Sequence, residues 1–131
     1  MSTNAIIHII GDDEVYTIYK HWDGYPSGIQ KCINKALDMA WELPRFEADE
    51  FAAAFVAANK DKAGDIRLVP PNRVGHIWFD FIYSIQHVGE DKLRVTIGHC
   101  TGQDELDRFD YVMTWDGYHN RMHEAYAEDA A

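Results

Sequence analysis

The chain has 131 residues, 47% of them apolar, with 12 Lys and Arg against 22 Asp and Glu, a formal net charge of −10. Length and apolar content suit one domain, 1–131, with one core, and exclude a disordered chain. The acid excess argues against docking on anionic lipid and against non-specific nucleic-acid binding, which needs a basic surface to neutralise phosphates.

Residues 5–10 (AIIHII) are short and β-branched and predict a strand. Gly11-Asp12-Asp13 supplies a turn, and 14–21 (EVYTIYKH) returns as a second strand to make a hairpin. Asp23-Gly24-Tyr25-Pro26 breaks that strand, with Gly24 expected at positive φ. Ser27 and Gln30 have capping-box spacing. Ile29, Ile33, Ala36, Leu37, Ala40 and Trp41 then mark one face of a helix over 28–43, ended by Pro44. Cys32 falls on this helix and reads as core.

A second helix is predicted over 47–59. Phe51, Phe55 and Ala58 form its stripe, and Glu47, Asp49 and Glu50 suit its positive end. After a polar loop, 65–69 is a short strand stopped by Pro70-Pro71. The two-residue alternation of Ile77, Phe79, Phe81, Tyr83 and Ile85 predicts the longest strand over 76–88. Gly89-Glu90-Asp91-Lys92 turns it into 93–97, and 108–115 gives a last strand. The tail after Tyr118 reads as a short helix that frays over 124–131. The expected fold is α+β, in the order β-β-α-α-β-β-β-β, with an antiparallel sheet and both helices on one face.

Trp22-Asp23-Gly24-Tyr25 reappears as Trp115-Asp116-Gly117-Tyr118, each copy closing an alternating strand. The structural reading is a pair of Asp-Gly turns clamped by aromatics. The functional reading is a ligand site. The first copy, Tyr19-Lys20-His21-Trp22-Asp23-Gly24-Tyr25-Pro26-Ser27-Gly28, resembles the strand–H-[HW]-D-G-Y-P-x-G–helix motif of a family of short, uncharacterised bacterial, prophage and phage proteins. The later FAAAFVAANKDKAGDIRLV is also similar, so the resemblance spans 14–69. It implies a mobile-element context and carries no established activity.

Lys20, His21, Trp22, Asp23 and Tyr25 form the candidate ligand-binding set. His21 and Asp23 offer acid–base chemistry, Trp22 and Tyr25 can stack on a base, and Lys20 can meet a phosphate. The start of the first helix, with Gly24 and Gly28, could add backbone N–H groups, although no Walker or dinucleotide glycine pattern is present. In the alternative, Asp23 merely caps the turn and Tyr25 packs. His119 and His123 have metal-ligand spacing without an evident third ligand, so no metal and no cofactor are expected. His99 and Cys100 are strand neighbours pointing to opposite faces and cannot form a dyad.

Residues 104–131 hold eight acids against two basic residues. Asp104, Glu105, Asp107 and Asp110 are therefore the candidate partner-binding face, aimed at a host protein or protein–nucleic acid complex with a basic surface. No apolar run is long enough to span a bilayer, and no leader or C-x-x-C pair is visible. A cytoplasmic chain with reduced thiols is expected, as monomer or homodimer, binding neither membrane nor nucleic acid directly.

Three functions fit these features. The first is a non-enzymatic, anti-CRISPR-like protein of phage type that inhibits a host defence complex by occupying a basic surface. The second is a small-ligand or nucleotide-signal binder using the WDGY turns. The third, a hydrolase-type enzyme using His21 and Asp23, ranks last for want of a nucleophile, metal set or cofactor loop.

Overall fold

The structure, a computed structural model, describes residues 2–100 and 106–114. Six strands, β1 (Ala5–Ile10), β2 (Val15–Lys20), β3 (Ile66–Leu68), β4 (Phe81–Gly89), β5 (Lys92–Cys100) and β6 (Leu106–Thr114), form one sheet in the order β3-β2-β1-β4-β5-β6. Helices α1 (Pro26–Met39) and α2 (Ala48–Asn59) lie between β2 and β3 in sequence. The class is α+β with two main helices.

The sheet is mixed, not antiparallel throughout. β1 pairs antiparallel with β2 but parallel with β4, with Ile7 opposite Tyr83 and Ile9 opposite Ile85. β1 permits this pairing, and the crossover before β4 selects it. Ala5, Ile6, Ile7 and Ile9 are all buried, so consecutive residues find cover on both faces. A strand covered on both faces reads as a continuous apolar run, the signature of parallel pairing in a sheet interior.

Both helices share a core with one face of the sheet. Ile29, Ile33 and Ala36 of α1 and Phe51 and Phe55 of α2 meet Ile7, Ile9, Ile18, Tyr83, Ile85 and Val95. The Asn59 side-chain amide donates to the carbonyl oxygens of Cys32 at 2.9 Å and Phe55 at 3.0 Å, tying the end of α2 to the middle of α1.

The predicted strand over 76–88 begins only at Phe81. Residues 71–76 form a 3-10 turn, and the chain then crosses to the far side of β1, where the Asp80 and Phe81 N–H groups both donate to the Asn4 carbonyl. The alternation of Ile77 and Phe79 is spent on this crossover, which leaves Trp78 64% exposed. The first helix also differs from expectation. It begins at Pro26, whose fixed φ suits the first helical position, with Tyr25 as N-cap and no side-chain cap bond from Ser27. It ends at Met39, so Trp41 leaves the apolar stripe and stacks under the Arg45 guanidinium, 3.4 Å from the ring centroid.

No helix among the described residues is long and apolar enough to cross a membrane. The second WDGY copy, His119, His123 and the frayed-tail expectation lie outside the described residues.

Candidate functional site

The segment 20–28 turns β2 into α1, and each residue has a local reason. Asp23 takes the positive φ, +57°. Asp tolerates this left-handed region because its short polar side chain can bond locally. Gly24 does not have the positive φ expected of it. It is glycine because β1 lies against it: a Cβ there would sit 2.8 Å from the Thr3 carbonyl oxygen and 2.8 Å from the Ala5 Cβ. The Gly24 N–H donates to that Thr3 oxygen at 2.9 Å, and its carbonyl accepts the Tyr83 hydroxyl at 2.6 Å. A Cβ on Gly28 would land on the Asp23 carbonyl oxygen. The Gly28 and Ile29 N–H groups both donate to the Tyr25 carbonyl. The helix start is thus spent on its own turn and is not an open phosphate cradle.

The five sequence candidates divide between two clefts. Strand alternation puts Lys20 on the helix-covered face and Tyr19 and His21 on the other. Lys20 is buried, and its Nζ pairs with Asp65 Oδ1 at 2.9 Å, so its charge serves the fold. Trp22, Asp23 and Tyr25 line a cleft of about 580 Å³ between α1 and the loop after α2. His21 lines a different cleft, and its Nδ1 bonds the Tyr19 hydroxyl at 2.7 Å. The fold does not join His21 and Asp23 into an acid–base pair facing one space.

The sequence pattern did not reveal what dominates the first cleft. Lys31, Lys35, Lys60 and Lys62 line it with Lys20, so five of the chain's six lysines meet at one place. Lys31 and Lys35 are one helical turn apart on α1, on the same face as Gly28 and Cys32. Lys60 and Lys62 follow the end of α2. The antiparallel packing of α1 on α2 brings the two pairs together, and that pairing is not written in local spacing. Lys62 Nζ lies 4.4 Å from the Trp22 ring centroid, a cation–π contact. Lys60 Nζ donates to the Lys62 carbonyl at 3.1 Å. Among the described residues, neither Lys31, Lys35 nor Lys62 has a carboxylate partner within ion-pair distance. The acids of the cleft are Asp23, Asp61 and Asp65, and Asp65 is engaged by Lys20.

Burial pushes the Cys32 thiol above its ordinary value, and nearby Lys20 and Lys35 only partly oppose this. The thiol is thereby a poor nucleophile despite its place at the cleft wall.

Of the acidic candidates, Asp104 and Glu105 lie outside the described residues. Asp107 and Asp110 fall on β6, opposite His99 and Thr96 of β5. A separate acidic group surrounds a pocket of about 290 Å³ at the other end of the helices. There Asp12, Asp13 and Glu14 of the β1–β2 turn meet Glu47 and Asp49 at the start of α2. Lysines therefore concentrate at one end of the helices and a group of five carboxylates at the other.

No family model, curated protein or solved structure matches this chain.

Proposed function

We propose that the chain is a non-enzymatic binding protein that holds a small phosphate-bearing ligand, of nucleotide type, in the lysine cleft. The observation that carries this reading is the gathering of Lys31, Lys35, Lys60 and Lys62 around one cleft, beside the Asp65-paired Lys20, in a chain of net charge −10. Like charges converge at a cost unless an anion relieves it. Trp22 and the exposed Tyr25 stand at the same wall and can pack against a base. The test is calorimetric titration with nucleotides, cyclic dinucleotides and inorganic pyrophosphate. Phosphate-bearing ligands should bind, and K31E/K35E should weaken them by about tenfold or more. Absence of binding by every member of the panel would overturn the proposal.

A second reading is favoured by the acidic pole around Asp12, Asp13, Glu14, Glu47 and Asp49. In it the chain is a phage-type, anti-CRISPR-like inhibitor that occupies a basic surface of a host defence complex with its acidic residues, Asp104, Glu105, Asp107 and Asp110 among the candidates. Such a complex should weaken as salt rises. Capture of a nucleic-acid-binding host complex, abolished on neutralising those acids, supports it.

A further inference from the structure

A second cationic cleft, of about 430 Å³, lies over β2 and β3 on the face away from Lys20. Tyr19 and His21 of β2, Arg67 of β3, and Arg73, His76 and Trp78 of the crossover line it. No Asp or Glu is among its lining residues. Asp80, close enough to act electrostatically on Tyr19, accepts the Asn4 N–H at 2.8 Å. Among the described residues neither Arg67 nor Arg73 has a carboxylate within ion-pair distance. Both arginines, His76 and Trp78 are exposed.

The two clefts meet at one point. The His21 ring, in the second cleft, touches the Trp22 ring, in the first, edge-on at 4.6 Å between centroids. β3, the outermost strand on this side, has only three residues, so little of the sheet separates the two faces here. Contacts thus link Lys62 over Trp22, Trp22 to His21, His21 to Tyr19 and Tyr19 to Arg67. These join the lysine cleft, which also holds Asp23 and Asp61, to the arginine cleft.

We infer that this track binds a short single strand of nucleic acid that passes from the lysine cleft around the edge of β3 into the arginine cleft. The inference rests on the proposed function, because one phosphate-bearing unit must occupy the lysine cleft. Three features select the ligand. The charge sits in two patches that meet at the His21–Trp22 contact, which suits a ligand carrying more than one phosphate. Aromatic rings are interleaved with the cations, as base stacking along a single strand requires. Arg67 and Arg73 present planar forks that match phosphate oxygens. The net charge of −10 is no obstacle, because binding reads the local field, and Asp12, Asp13, Glu14, Glu47 and Asp49 cluster at the other end of the helices.

Fluorescence anisotropy with labelled oligothymidylate of about ten nucleotides, compared with calorimetry of thymidine monophosphate, tests the inference. The oligonucleotide should bind at least about tenfold tighter than the mononucleotide, because more of its phosphates meet cations. R67E/R73E should abolish that gain and leave mononucleotide affinity unchanged. The gentler R67Q/R73Q should flatten the log–log salt slope for the oligonucleotide by about 1.4, about 0.7 for each phosphate left without its arginine. W78A should weaken the oligonucleotide alone, by about tenfold. All three side chains are exposed, and unchanged circular dichroism and melting confirm folding of each variant. An oligonucleotide that binds no tighter than the mononucleotide, or is indifferent to R67E/R73E, overturns the track while leaving the lysine cleft standing. Equal binding of a hairpin duplex also overturns it. Mononucleotide binding that survives K31E/K35E overturns the lysine cleft instead.

Discussion

The hydroxyl of Tyr83, in the middle of β4, donates a 2.6 Å hydrogen bond to the carbonyl oxygen of Gly24, in the turn that launches α1. The two residues are 59 apart in sequence and both are buried. This bond fixes the helix start, and with it the lysine cleft, against the centre of the sheet. Tyr83→Phe keeps the ring but deprives the Gly24 carbonyl of this donor. The expected loss is about 1–3 kcal/mol, read from the urea unfolding midpoint. An unchanged midpoint would show that the turn does not depend on this bond.

The two glycines of the turn should fail for packing reasons, and Asp23 for a backbone reason. Gly28→Ala places a methyl on the Asp23 carbonyl, and Gly24→Ala places one against Thr3 and Ala5. Backbone must move in both cases, so each should lose about 1–3 kcal/mol or more. Asp23→Val, with a branched Cβ at φ +57°, should lose about 1–2 kcal/mol, whereas Asp23→Gly should fold normally. Thermal melts of the four variants check the pattern, and a stable Gly28→Ala protein would contradict it.

Lys20 and Asp65 form a buried ion pair at 2.9 Å, with side chains 8% and 5% exposed. Removing one partner strands a charge in the interior. Lys20→Met or Asp65→Leu alone should therefore cost about 3–5 kcal/mol, while the double variant should recover much of that loss. A double-mutant cycle by chemical denaturation measures the coupling. Additive losses would mean that each residue acts through other neighbours.

His8 gives a pH signature. Burial holds its imidazole below the ordinary 6.5, and its Nδ1 lies 2.9 Å from the Thr17 hydroxyl. A lowered folded-state pKa means that the unfolded chain binds the proton more readily. This contribution is fully present above 6.5 and falls away as pH drops toward the folded value. His8→Asn should consequently show a shallower fall in melting temperature between about pH 7 and pH 5 than the parent chain. Parallel pH profiles would remove His8 as the cause.

Local pattern alone placed most elements. The apolar spacing of Ile29, Ile33, Ala36 and Leu37 and of Phe51 and Phe55 located both helices, and the alternation around Phe81, Tyr83 and Ile85 located β4, because periodicity reflects which face a residue buries. The HWDGYPSG segment was legible as a turn into a helix. Its division of labour was not: the positive φ belongs to Asp23, and Gly24 and Gly28 are required by Thr3, Ala5 and the Asp23 carbonyl. Tertiary structure alone decided that β1 pairs parallel with β4, since both pairings bury the same side chains and only the crossover through 69–80 selects between them. It also decided the candidate site. Lys31 and Lys35 are separated from Lys60 and Lys62 by a full helix hairpin, and a charge average of −10 conceals a cationic pole. Electrostatic function depends on distances through space, and those distances are set only when α1 packs against α2.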